Sequence, residues 1–296
     1  MDTRDTSQAT THSMNVDVPE IIGEPLPSDA AMAIVLAVCG TAASMLVVAL
    51  ILARRRRGLP AVSQRPRPAA TWTGFEVAVS ATLFLWLQVL GASAVPADAT
   101  MHARLAAGAM AMVAATLATI AVLVRRGVAP AELGFGPVRL PDDVALGVAA
   151  VVFLLVPLLA LAAALDKVVP YHHALVDFLA VHRDPLAIGL VVFAAVVAAP
   201  IAEEFLFRRV LQGWLERREA EWGWAAPIVL SSLAFAVAHV GQGLAWVPLF
   251  FFGLVAGYLA RQTGSIVPGI VMHALFNAVS VVLVLAQTSP GAAGGG

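Results

Sequence analysis

The sequence predicts an all-α protein, a polytopic membrane bundle of about eight transmembrane helices. Three observations carry this reading. Of 296 residues, 60% are hydrophobic and 12% charged, against about 45–50% and about 25% in soluble globular domains. The mean hydropathy is +0.86. The apolar runs are rich in Ala, Leu and Val without period-2 alternation, which favours helices over a transmembrane barrel.

A bilayer core of about 30 Å takes roughly 20 helical residues, so the spans can be read in order. They run from Ala30 to Ala53, Gly74 to Val95, Leu105 to Val124, Val144 to Leu165, Leu186 to Phe205, Trp224 to Val240, Leu244 to Ala260 and Ile266 to Ala286. Residues 1–29 hold six acidic residues and one arginine, and read as a disordered extracytoplasmic tail rather than a signal peptide. Residues 30–165 form an N-terminal group of four helices, and 287–296 a second flexible tail. No hydrophilic stretch between spans is long enough to fold alone, so function falls to the helices and their mouths, with the lipid bilayer as the first partner and no indication of nucleic acid.

Loop charges set the orientation. The basic residues Arg54 to Arg57, Arg65, Arg67, Arg125, Arg126, Arg139, Arg208, Arg209, Arg217, Arg218 and Arg261 fall on one side. That is 14 of 18, leaving Arg4, Arg104, Lys167 and Arg183 on the other. The positive-inside rule makes the arginine side cytoplasmic and both termini extracytoplasmic. Only one of the 18 basic residues is a lysine, which hints at a GC-rich bacterial source. The single cysteine, Cys39, rules out an intrachain disulfide and a cysteine-cluster metal site.

Ionisable residues at membrane depth are expensive and point to function. The first four spans hold only Glu76 and Gln88, whereas the last four hold Glu203, Glu204, Arg208, His239, His273 and Asn277. Glu204 and Arg208 are four apart and stack on one helix face as a carboxylate–cation pair. Glu203 is turned by about 100° from its neighbour and remains free for chemistry. Pro200 favours a helix running from about Pro200 to Arg218. His239 ends the sixth run with Phe235 one turn before it, and His273 and Asn277 share one stripe of the eighth. A desolvated glutamate can take a proton from water. Histidines can share that task, orient the water or bind a metal, and the Asn277 amide can donate to an oxyanion.

The motifs Glu203-Glu204-x-x-x-Arg208, Phe235-x-x-x-His239 and His273-x-x-x-Asn277, with "APIAEE" and "ELGF" at Glu132 to Phe135, resemble the CPBP (Abi, type II CAAX prenyl protease-like) family of intramembrane proteases. The resemblance implies an intramembrane endopeptidase core at 186–286, in the bacterial cytoplasmic membrane, with a site open to the cytoplasm and a membrane-associated peptide or protein as substrate. It assigns Glu203 as the base, Glu204 and Arg208 as a supporting pair, His239 and His273 as water-positioning or metal-binding groups, and Asn277 as oxyanion donor. Zinc is the metal implied for the family, beside a metal-free glutamate mechanism; no His-Glu-x-x-His is present to argue for zinc locally. The alternatives are a non-catalytic membrane scaffold or immunity protein and a transporter, the latter expecting polar breaks in both halves. Gly253 and Gly257 suggest close helix packing. His172, His173, His182 and Asp184 are expected in an external loop, where solvated residues are the plainer reading than a metal site.

Overall fold

The computed structural model describes residues 28–135, 139–171 and 173–287. Among these there is no strand. Nine helices follow one another: α1 Ser28–Arg56, α2 Gly74–Ser93, α3 Met101–Arg125, α4 Leu140–Asp166, the short α5 Ala174–Val181, α6 Pro185–Trp222, α7 Ala226–Val237, α8 Trp246–Thr263 and α9 Val267–Gln287. The tails expected at 1–29 and 287–296 lie almost wholly outside the described residues.

Helix starts follow local chemistry. At α2, the Thr73 hydroxyl accepts from the Phe75 N–H while Glu76 accepts from the Thr73 N–H, at 3.2 and 2.8 Å, a reciprocal cap. Thr100 caps α3 and Asp184 caps α6 through side-chain oxygens. Glu76 also receives the Arg126 guanidinium at 2.9 Å, which explains a buried carboxylate at the start of an apolar span.

All eight expected apolar runs fall on helices. Six of these, α1–α4, α6 and α9, are long and apolar enough to cross a membrane. Their outer faces carry large apolar side chains such as Val38, Leu46, Trp86, Leu90 and Leu117, a surface suited to lipid and unsustainable in water. The other two runs differ from the expected full spans. Helix α7 has 12 residues, about 18 Å at 1.5 Å per residue, and α8 ends in the polar Arg261, Gln262 and Thr263. The α7–α8 turn packs on the loop that precedes α5, where a Cβ on Gly243 would lie 2.7 Å from the Pro170 carbonyl oxygen, and its Gln242 and Leu244 line a cavity.

The arginine-bearing loops gather at one end. Arg67 reaches Glu216 and Glu219 at 2.9 and 2.8 Å, and Arg261 reaches Glu219 at 2.5 Å. Arg65 pairs with Asp143, and Arg209 donates to the Glu132 carbonyl. Gly134, at φ 84°, leaves room for the Arg209 side chain beside it and accounts for the glycine in "ELGF". Gly253 and Gly257 pack as expected: a Cβ on them would lie 2.9 Å from Ser232 and 2.7 Å from the Gln212 amide oxygen.

The opposite end holds the expected histidine loop, apart from His172, which lies outside the described residues. His173 caps α5 by accepting from the Leu175 N–H, His182 stacks on Phe178, and Asp184 lies 3.2 Å from His102. Burial holds the His173 imidazole below its usual range, and nearby His239 adds to this.

Candidate active site

Helix α6 sets the site. It runs unbroken through Pro200, so the expected helix start at that residue is replaced by a continuous helix from Pro185 to Trp222. Widened π-type turns at Phe193–Ala198 and Glu204–Leu211 explain how. In the first, the Ala199 N–H bonds to the Ala194 carbonyl, five residues back. The same spacing would give the Ala195 carbonyl to Pro200, which has no N–H. Asn277 supplies the missing donor, its amide nitrogen 2.7 Å from the Ala195 oxygen.

Between the two widened turns sits Glu203. Its Oε2 is buried and accepts no hydrogen bond from the described residues. It stands 3.9 Å from His239 Nε2 and 3.9 Å from His273 Nε2. The sequence reading left this carboxylate without a local partner; its partners come from α9 and from the residues just after α7. His239 Nδ1 lies 2.8 Å from the Phe235 carbonyl oxygen. A carbonyl only accepts, so Nδ1 carries the hydrogen and the Nε2 lone pair faces Glu203 when the ring is neutral.

Glu204 points the other way, into the core. With Arg208 it forms a fully buried pair, Nε to Oε2 at 3.3 Å, and its Oε1 lies 3.5 Å from His273 Nδ1. His273 is thus held between the two adjacent glutamates. Arg208 continues to Ser231 at 3.4 Å, Ser231 donates to the Gln212 amide oxygen at 3.2 Å, and Gln212 donates to the Gly257 carbonyl at 2.9 Å. Phe235 packs beside His239 and against Arg208, with centroid distances of 4.8 and 5.0 Å. Phe252 supports His273 from another side.

The structure therefore brings together all seven residues singled out from the sequence and divides them. Glu203, His239, His273 and Asn277 line a cavity of about 1320 Å³, while Glu204, Arg208 and Phe235 form its buried support. Sequence reasoning missed Gln212, Ser231 and Gly269. A Cβ on Gly269 would lie 2.6 Å from Glu204 Oε2. Gly269→Ala is accordingly expected to destabilise the fold by about 1–3 kcal/mol through overpacking, read as a lowered melting temperature in detergent.

Among the described residues, no three His, Cys, Asp or Glu side chains stand where they could hold a metal ion. The donor set as placed does not fit zinc.

Residues 185–279 match the family model of type II CAAX prenyl endopeptidases, Rce1-like. The matched segment is roughly a third of the chain, runs from the start of α6 into α9, and contains every residue of the site. This Rce1-like segment supports, at the level of the family, an intramembrane endopeptidase of the CAAX-protease type. No match was found among the curated proteins or the solved structures.

The cavity also bears on access. Its lining includes Arg104, Asp166, Tyr171 and His173, all at the end away from the arginine-bearing loops.

Proposed function

We propose that the protein is an intramembrane endopeptidase in which Glu203 activates water for attack on a peptide bond. The observation that carries this is the convergence of one carboxylate oxygen and two imidazole nitrogens, each 3.9 Å from it, in the cavity wall. These separations exceed a direct hydrogen bond and suit a bridging water.

Glu203 takes a proton from that water, and the oxygen adds to the scissile carbonyl. His239 orients the water by accepting its second hydrogen at Nε2, and His273 borders it on the other side. Glu204 steadies His273 from behind through its Nδ1, and Arg208 neutralises Glu204. The oxyanion of the tetrahedral intermediate takes a hydrogen bond from Asn277, whose amide keeps one hydrogen beyond that given to Ala195. The C–N bond then breaks as the proton held by Glu203 passes to the departing amine. No step runs through a metal.

The test is cleavage of a membrane-associated peptide by purified protein in detergent. His239→Ala and His273→Ala are expected to lower turnover by about 10²-fold or more, and a chelator to leave the parent unaffected. Full turnover in both variants would refute the reading. Loss on chelation with recovery on zinc would reassign the two histidines as metal ligands.

A further inference from the structure

The cavity is one-sided. Its lining comes from positions 81–88 of α2, 101–112 of α3, 158–166 of α4 and 273–284 of α9. These helices alternate in direction, yet each contributes only the part farther from the arginine-bearing loops. No lining residue comes from the segments 54–67, 125–139, 208–224 or 261–266 that make up the arginine end.

That end is sealed. Below Glu203 lie the buried Arg208, Gln212 and Phe235. Beyond them, Trp72 donates to the Val210 carbonyl at 2.8 Å, and Arg67, Glu216, Glu219 and Arg261 tie the loops together. The opposite end is open, with Tyr171 both exposed and part of the lining. From His273 to Val284 the cavity follows α9 for eleven residues, about 16 Å. It is a deep funnel whose floor is the Glu203 site.

The charge asymmetry fixes which face this is. Fourteen of the 18 basic residues belong to the sealed side, and such a bias marks the cytoplasmic side. The walls, with Leu105, Leu158, Phe178 and Leu179, suit an apolar chain, and Arg104 and Asp166 at the rim bring one charge of each sign. The volume exceeds the roughly 300–1000 Å³ usual for small-molecule sites.

We infer that the substrate reaches Glu203 from the extracytoplasmic face, as an apolar, membrane-proximal segment of an exported or membrane-anchored polypeptide. The chemistry at the floor rests on the endopeptidase reading above, but the side of access does not. The inference departs from the cytoplasm-facing site that the family resemblance implies.

The test begins from Cys39→Ala, which removes the single cysteine. Tyr171→Cys and Gln242→Cys probe the mouth, and Arg57→Cys the sealed end. A membrane-impermeant maleimide should label the first two in intact cells and the third only in inverted membrane vesicles. The reverse pattern would overturn the inference. A bulky maleimide at position 171 or 242 should then lower peptide turnover by about tenfold or more, and unchanged turnover after full labelling at both positions would refute this mouth as the route. Labelling decides the side whether or not the preparation cleaves peptide, so failure of the endopeptidase reading is seen separately, in the unlabelled protein.

Discussion

Glu203→Gln is expected to lower peptide turnover by about 10²–10⁴-fold, the range for loss of a positioned general base, with little change in melting temperature. The substitution keeps the shape of the side chain and removes its capacity to hold a proton. Glu203 lies in the cavity wall, and neither of its histidine neighbours is within direct hydrogen-bond reach, so no packed interaction is lost. A structural glutamate would give the opposite result, with stability falling and turnover per folded molecule preserved. Single-turnover cleavage beside thermal unfolding in the same detergent separates the two, and preserved turnover would remove Glu203 from the mechanism.

Arg208→Met is expected to destabilise the protein by about 3–5 kcal/mol, since removing one partner of a buried ion pair leaves the other charge uncompensated. Both side chains of the pair are fully enclosed, and among the described residues the Glu204 carboxylate would keep only His273 as a charge partner. Combining Arg208→Met with Glu204→Gln should restore part of the loss, because the stranded charge is removed as well. The measurement is a double-mutant cycle on unfolding in detergent. A single variant within about 0.5 kcal/mol of the parent, the usual range for plain surface substitutions, would show that the pair contributes little to the fold.

How much of this was legible in the sequence depends on the range of the interaction. Hydropathy located every long helix because a span must hide its whole backbone. Spacing of four paired Glu204 with Arg208 because helix geometry is local. It also left Glu203 unpaired, and its histidine neighbours stand 36 and 70 positions away (239 − 203 and 273 − 203). Motif order was enough to associate the three segments, but not to show His273 touching both glutamates.

Other features were hidden for different reasons. The run from Trp224 to Val240 has the composition of a span, yet its helix ends at Val237 after 12 residues, where the chain turns against the loop that holds Pro170. Gln212 and Ser231 look like ordinary polar residues until Arg208 is seen to need a second layer of partners. Asn277 reads as an oxyanion donor from its chemistry alone, while its bond to Ala195 follows from a proline on another helix. The end at which the cavity opens is a property of the assembled bundle and has no local signature.

The two widened turns of α6 have a consequence for phase. Each adds about one residue to a turn, and one residue corresponds to about 100° of rotation along a helix. The short stretch between them, Ala199–Glu203, is therefore decoupled in azimuth from the part of α6 before it and from the arginine-bearing part after it. A heptad or 3.6-residue wheel drawn through the whole of α6 assigns wrong faces beyond each widening. The bearing of Glu203 is a setting that two local insertions or deletions could retune, leaving the remainder of the bundle in register.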